Sequence, residues 1–262
     1  EAGVLAPELG VLAHLRSAAE SGAQLHFGER VLQWQASDLA VDVATETARY
    51  RADRLVLTAG AWSPRLLRLP QLGLEVERQV MVWLAPPHIA DFTPPRCPIY
   101  LFEGGGGDQY YGIPTRDGRT AKAARHHGGE ITSPERAARE VTELDVSRLR
   151  EGLLQTVPEL ARAPLARSAC CLYCNTPDQH FVIGAHPESA RVVLGAGFSG
   201  HGFKFSPVVG EALADLALLG ATQLPIEAFD PQRFDPHQSG GNGTSGSLGK
   251  PTPSSDMTSP IT

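Results

Sequence analysis

The sequence predicts a mixed α/β fold in which two α/β segments flank a β-rich middle with an antiparallel sheet. Apolar strands alternate with helices near both ends, whereas residues 76–131 contain short strand-like runs separated by turn residues. We expect residues 1–75 and 166–236 to form one domain and residues 76–165 to form a second. Residues 237–262 are rich in Gly, Ser, Thr and Pro, a composition that predicts disorder.

The N-terminal segment predicts one helix and then strands. Residues 7–21 carry leucines at helical spacing, which predicts a helix that packs by this face and ends at Gly22. Three strand-like runs follow, at residues 25–34, 40–43 and 50–57. Residues 54–63 predict a strand that enters a small-residue turn, and Pro64 begins a short helix. This junction is as consistent with an ordinary α/β connection as with ligand contact.

Four antiparallel strands are predicted for the middle of the chain, with a long helix after them. The strands lie at residues 76–84, 98–103, 109–114 and 120–127, and Asp117-Gly118 supplies the last hairpin turn. Residues 133–156 predict the helix, with Ser133 as its N-cap and Pro134 at its first position. Further strands are expected at residues 167–174 and 181–183.

Residues 191–219 predict a strand, a glycine loop and a helix. Pro207 begins the helix, and its apolar residues at near-helical spacing are Val208, Leu213, Leu216 and Leu219. Glycines allow positive φ and close approach of a ligand, and free N–H groups at a helix start attract an anion or an electron-rich ring edge.

The glycine loop formally contains the dinucleotide fingerprint G-x-G-x-x-G at Gly195, Gly197 and Gly200. No acidic residue follows about twenty residues later at the end of a second strand, as that motif requires. We therefore expect a loop that touches a cofactor bound mainly elsewhere. His201 and Lys204 are placed to pair with an anion or to tune a cofactor, or Lys204 simply extends into solvent.

Composition excludes several kinds of partner. The net charge of -6 argues against nucleic acid and anionic membranes, because both require clustered Lys and Arg. No apolar run reaches the roughly 18 residues that span a bilayer. Four cysteines in 262 residues are not a disulfide scaffold, so we expect a reducing, cytoplasmic compartment. The start at Glu1, without Met, predicts a piece of a longer polypeptide.

One face of the predicted strand 120–127 carries reactive side chains. Alternation places Lys122 and His126 on one face and His127 on the other. Tyr111, on the partner strand of the hairpin, is expected near the first face. A solvated sheet face explains Lys122 and His126 as easily, because both residue types are common on exposed strands.

Cys171 and Tyr173 share one face of strand 167–174, with Cys170 and Cys174 on the other. Cys171 and Cys174 have C-x-x-C spacing, but a redox motif of this kind begins a helix and a zinc site needs a second pair of ligands. We therefore expect no metal. A buried structural cysteine is the plainer interpretation.

These motifs resemble those of the monomeric sarcosine oxidase family, which includes pipecolate oxidase and N-methyltryptophan oxidase among the D-amino-acid-oxidase-like flavoenzymes. The resemblance is carried by Gly197-Phe198-Ser199-Gly200-His201-Gly202-Phe203-Lys204, by residues 169–173 and by residues 176–181. It extends from about Gly3 to about Phe234. It implies an incomplete FAD-binding domain of the D-amino-acid-oxidase type, interrupted by the substrate domain.

The resemblance also implies a role for each matching residue. Cys171 matches the cysteine whose sulfur is linked to the flavin. Lys204 matches the lysine that binds the substrate carboxylate, and Lys122 matches the lysine that activates oxygen. The other residues expected in the active site are Tyr111, His126 and Tyr173, and those expected against the flavin are Gly197, Gly200, His201, Gly202 and Phe203.

The implied reaction is FAD-dependent oxidation of a small secondary or N-methyl amino acid to an imine, with reduction of oxygen to hydrogen peroxide, by a monomer. The family's N-terminal βαβ unit, which holds the ADP half of FAD, has no match in this sequence. We therefore expect the chain alone to be inactive. Two alternatives stay open: a non-catalytic fragment, and a related FAD-dependent dehydrogenase that uses another electron acceptor.

Overall fold

The computed structural model describes residues 3–104 and 106–235, so the predicted disorder of residues 237–262 lies outside the described part. The described residues form helices and strands in the order α1 (Pro7–Glu20), β1 (Val31–Ala36), β2 (Val41–Thr45), β3 (Arg49–Ala52), β4 (Leu55–Leu57), α2 (Ser63–Leu67), β5 (Glu75–Leu84), β6 (Tyr100–Glu103), β7 (Gln109–Ile113), β8 (Ala121–His126), β9 (Glu130–Thr132), α3 (Glu143–Thr156), α4 (Pro158–Arg162), β10 (Leu165–Asn175), β11 (Val182–His186), β12 (Ser189–Ala196) and α5 (Ser206–Leu219). The predicted mixed α/β fold is confirmed.

The largest sheet comes from the middle of the chain and from β10. Its strands are antiparallel in the order β10-β5-β8-β7-β6, and β9 pairs with β5. Helices α3 and α4 cover one face, where Val82 and Ala123 form a buried cluster with Leu153 and Leu160. The opposite face carries the polar side chains of the candidate site.

Two smaller sheets build the α/β part of the molecule. β12 lies between its antiparallel neighbour β11 and its parallel neighbour β4. Val193 of β12 packs with Leu213 of α5, and Leu194 packs with Trp34 of the antiparallel β1-β2-β3 sheet. Because β4 and β12 are parallel neighbours, the two predicted strand-to-helix junctions meet at one edge of this sheet.

The long helix predicted from Ser133 is wrong in its first part. α3 begins after Thr142, whose side chain forms a reciprocal capping box with Asp145. Ahead of the cap, the Arg78 guanidinium of β5 donates to the Ala138 carbonyl at 2.7 Å and to the Asp145 carboxylate at 3.0 Å. This distant arginine occupies a carbonyl that a helix would have paired internally.

Some strand boundaries and one buried helix face differ between the prediction and the structure. β1 begins at Val31 rather than at residue 25, and the run predicted over residues 50–57 is divided between β3 and β4, which lie in different sheets. α5 forms and buries Leu213 as predicted, but it also buries Val209, whereas Val208 and Leu219 are 41% and 77% exposed. Hydrophobicity alone did not fix which side of this largely apolar helix faces the sheet.

Helix α1 forms close to its predicted bounds but does not pack as predicted. Its leucine face is exposed: Leu9 and Leu12 are 67% and 61% exposed to solvent. Across residues 3–104 and 106–235, no helix combines the length and the apolar composition needed to cross a membrane.

Candidate active site

The large sheet places β8 and β10 on either side of β5, so that one face collects side chains from all three strands. Trp83 of β5 is the register partner of both Lys122 and Arg167. The Arg167 guanidinium lies 3.7 Å from the Trp83 ring centroid. Lys122 Nζ lies 5.5 Å from the same centroid and 5.6 Å from that of Tyr111. Lys122 therefore projects onto an aromatic surface rather than into a solvated sheet face.

Tyr173, His126 and Tyr111 form a polar cluster on this face. His126 Nδ1 lies 3.3 Å from the Tyr173 hydroxyl. The His126 ring packs edge-on against those of Tyr111 and Tyr173, at centroid distances of 6.2 and 5.7 Å. Burial, helped by the neighbouring His127, His201 and Lys204, lowers the pKa of His126 to about 4. Burial also raises the pKa of both tyrosines. At neutral pH the cluster therefore offers uncharged hydrogen-bonding groups.

Cys171 lies half-buried on the same face, close enough to Lys122 for their charges to interact. Burial and the neighbouring Cys170 raise the pKa of the Cys171 thiol, and Lys122 opposes them. Burial raises the pKa of Cys174 to about 11.

His127 does not lie opposite His126 as alternation predicted. β8 ends at His126, and His127 has a positive φ of 62°, which turns its side chain back toward the same side. The two imidazole centroids are 4.2 Å apart, and the His127 ring lies 5.5 Å from that of Tyr173. Two histidines, rather than one, therefore border Tyr173.

The glycine loop packs beside the Tyr173 ring. Gly197 and Gly200 have φ of 61° and 78°, values that side-chain-bearing residues rarely adopt. A Cβ on Gly200 would overlap the Tyr173 ring, and one on Gly197 would overlap the Thr176 side chain. The fully buried Ser199 donates through Oγ to the Gly197 carbonyl at 3.0 Å. Backbone conformation and close packing together require the two glycines.

His201 and Lys204 occupy the outer part of the loop. His201 Nδ1 lies 3.0 Å from the Ser199 carbonyl oxygen, which fixes the ring against the loop. Lys204 is exposed on a short 3-10 helix, Phe203–Phe205, with Nζ 5.6 Å from the Phe205 centroid. None of the ion pairs in the described part of the chain includes Lys204. Its ammonium group is available to bind an anion.

Two cavities border these residues. One, of about 460 Å³, lies between the two strand-to-helix junctions and is lined by Gly60, Gly210, Tyr173 and the glycine loop. A Cβ on Gly60 or Gly210 would meet no atom within 4 Å, so both glycines open onto free space. The other cavity, of about 820 Å³, is lined by Lys122, Trp83 and residues at the start of α1. The site thus has room on both the glycine-loop side and the Lys122 side.

The described residues contain one cluster with metal-ligand chemistry, His88, Asp91 and Glu159. His88 and Asp91 are exposed, and Asp91 pairs with Arg96 at 2.8 Å. The cluster includes no cysteine.

Comparison with known proteins assigns the chain to a family. The profile of the family described as FAD dependent oxidoreductase matches residues 1–216. The chain belongs to this family. It is 44% identical over 238 residues to a monomeric sarcosine oxidase from Streptomyces avermitilis, which confirms the resemblance found in the sequence. It is 37% identical over 235 residues to a monomeric sarcosine oxidase from a Bacillus species, and 32% identical over 239 residues to an N-methyl-L-tryptophan oxidase from Salmonella dublin.

These alignments cover most of this chain but only part of each relative. They span 89%, 88% and 89% of this chain, and 62%, 60% and 62% of the respective relatives.

Solved flavoenzymes share the fold. Amadoriase I from Aspergillus fumigatus has a TM-score of 0.69 at 23% identity, over 83% of this chain and 52% of that protein. Glycine oxidase from Geobacillus kaustophilus has a TM-score of 0.68 at 22% identity, over 84% and 56%.

Sequence reasoning missed part of the candidate site. Trp83 and Arg167 flank Lys122, and the buried Glu77 lies beside His127. Strand alternation along β5 puts Glu77 and Trp83 on one face, so the pattern contained a signal. Its meaning depended on β5 lying between β8 and β10, which no local pattern specifies.

Proposed function

We propose that the protein oxidises a small secondary or N-methyl amino acid to an imine with bound FAD, and that oxygen is reduced to hydrogen peroxide. The observation that carries this proposal is the convergence of Lys122, His126, Tyr173 and Cys171 on one sheet face beside the glycine loop. The family and the sarcosine oxidase relatives support it. Protein purified after expression of the complete coding sequence should be yellow and should release peroxide with sarcosine or pipecolate, and absence of flavin would exclude the proposal.

The residues present fit the ring end of FAD. The cavity between the junctions is bordered by Gly60, Gly210 and the glycine loop, where Cβ atoms would occupy the free space, and it reaches Tyr173. Cys171 stands two positions before Tyr173 on the same face of β10. When bound, FAD supplies the two-electron redox chemistry, accepting hydride from the carbon next to the amine nitrogen.

The chain's own residues would orient the amino acid. Lys204 would hold the substrate carboxylate through a charge-assisted hydrogen bond. The neutral His126 and the protonated phenols of Tyr173 and Tyr111 would enclose the amine end without adding charge. Lys122, on the opposite side of the cluster, would stabilise negative charge that develops on oxygen.

Covalent attachment at Cys171 gives a testable prediction. In the Cys171→Ala holoenzyme, flavin fluorescence should no longer remain with the denatured polypeptide on a gel. Of the two neighbouring thiols in β10, only that of Cys171 lies on the face of the sheet that carries Tyr173 and Lys122. Cys170 precedes it in β10 and therefore lies on the opposite face. Cys170→Ala is the matched control and should keep its label. A labelled Cys171→Ala protein would refute the assignment.

A second candidate function is a related dehydrogenase, since the Lys122 ammonium group would stabilise negative charge on another electron acceptor as well as on oxygen. A holoenzyme that is reduced by the amino acid, is reoxidised by a quinone or dye, and releases no peroxide would favour it.

We further propose that residues 1–262 alone bind FAD weakly and do not turn over. Among the described residues β4 has a strand neighbour on only one side, and its Val56 is 41% exposed, whereas Val193 of the central strand β12 is buried. The chain also covers 62% of a sarcosine oxidase.

Fluorescence quenching should show that this chain binds FAD at least about a hundredfold more weakly than protein made from the complete coding sequence does. This is the loss expected if contacts to the pyrophosphate and ribose that contribute roughly 3 kcal/mol are missing. Submicromolar binding with turnover would refute this.

A further inference from the structure

Beside the Tyr173–His126 pair lies a buried carboxylate that the proposed reaction does not use. Glu77 of β5 is 3% exposed. Its Oε1 accepts from the Gly129 N–H at 2.5 Å and from Gln79 Nε2 at 2.8 Å. Its Oε2 accepts from Asn175 Nδ2 at 2.5 Å and lies 3.3 Å from His127 Nδ1. Four donor positions therefore converge on one carboxylate.

The chain around His127 is shaped to make this contact. His127 has φ of 62°, and the next two residues are Gly128 and Gly129. A Cβ on Gly129 would overlap the Arg78 carbonyl oxygen, so only glycine brings this N–H onto Glu77. The turn after β8 thus directs both a backbone donor and an imidazole at the same carboxylate.

His127 connects Glu77 to the proposed substrate-binding residues. Its ring lies 4.2 Å from that of His126 and 5.5 Å from that of Tyr173, centroid to centroid. An imidazole held at Nδ1 by a carboxylate has a fixed tautomer and a fixed ring plane. The two rings packed against it are then restricted as well.

We propose that Glu77 is a positioning residue that, through His127, fixes the orientation and the electrostatics of the His126–Tyr173 pair. Its importance for amino acid oxidation rests on the proposed function. The contact itself does not, and it can be measured separately.

Electrostatics gives the proposal a readout that a purely structural role lacks. Besides burial, His127, His201 and Lys204 lower the pKa of His126, and Glu77 raises it. Tyr173 and Tyr111 are the other titratable groups of the cluster. Removing Glu77 should therefore lower the pKa of His126 further, and removing His127 should raise it.

The direct test is histidine nitrogen NMR of the holoenzyme expressed from the complete coding sequence. In the unmodified protein His127 should carry a proton on Nδ1, and in Glu77→Gln this proton should be lost. The His126 pKa should fall in Glu77→Gln and rise in His127→Asn. Asn is chosen at 127 because it tolerates positive φ. Glu130→Gln, on the exposed neighbouring strand, is the matched control and should change neither histidine.

Kinetics tests the functional half of the proposal. Anaerobic flavin reduction by the amino acid should slow about tenfold in both Glu77→Gln and His127→Asn, as expected for loss of a contact to a charged group. The double variant should be no slower than the single ones, because the two residues act as a unit. If Glu77→Gln fails to fold, the half-buried His127→Asn variant still gives the His126 pKa shift and the rate of flavin reduction, and the unmodified protein gives the His127 tautomer.

Three results would overturn the proposal. The first is a His127 Nδ1 without a proton, and the second is a shift of the His126 pKa in the same direction in both variants. The third is a double variant whose loss of rate is the product of the two single losses. If no variant and no unmodified protein oxidises an amino acid, the proposed function fails, while the tautomer and the opposite pKa shifts still decide the positioning role.

Discussion

Replacing Lys122 with Met should slow reoxidation of the reduced holoenzyme by oxygen about a hundredfold or more, the size of loss that follows removal of a preorganised electrostatic group. Anaerobic reduction by the amino acid should change little. Lys122 Nζ faces the rings of Trp83 and Tyr111, and no ion pair in the described residues neutralises it. Stopped-flow absorbance measures the two half-reactions separately.

Two control variants sharpen this experiment. Lys122→Arg keeps the charge and should retain much of the oxygen reactivity. Arg167→Met removes the other cation that contacts Trp83 and tests whether any nearby positive charge suffices. If Lys122→Met instead slowed reduction by the amino acid and left reoxidation intact, the oxygen role of Lys122 would be wrong.

Replacing Lys204 with Met should weaken binding of substrate and of carboxylate inhibitors by roughly 10- to 100-fold, because a hydrogen bond to a charged group contributes about 1.5–3 kcal/mol. Lys204 is exposed on the rim of the glycine loop and has no ion-pair partner in the described part of the chain, so little other than anion binding should be lost. The dissociation constant comes from the change in flavin absorbance on adding a small carboxylate.

Lys204→Arg is the charge-retaining control and should bind the carboxylate more tightly than Lys204→Met does. Reoxidation by oxygen should be unchanged in both variants. Equal inhibitor affinity in Lys204→Met and the unmodified holoenzyme would remove Lys204 from the carboxylate site and leave the solvent-exposed interpretation.

Local pattern was enough to predict several parts of the site. Alternation with period two placed Lys122 with His126, and Cys171 with Tyr173, because both pairs lie inside regular strands. It failed at His127, one residue past the end of β8, where a positive φ reverses the side chain. The following two glycines were the signal that regular alternation stops there.

Longer-range features could not be predicted in this way. The meeting of β8 and β10 depends on β5 between them, and strand order is a property of the whole sheet. The false start of the long helix at Ser133 has the same kind of cause. Arg78 donates to the Ala138 carbonyl from 60 residues away, and helix propensity carries no information about such a partner.

The central claim is that flavin and amino acid meet on the face that carries Lys122, Tyr173 and Cys171. A crystal structure of the holoenzyme with a bound small carboxylate tests it most directly. The account predicts a flavin ring against the glycine loop, joined to the Cys171 sulfur, with the carboxylate at Lys204 Nζ and Lys122 across the ring. A flavin bound away from this face, or a carboxylate that contacts neither Lys204 nor the His126–Tyr173 pair, would contradict it.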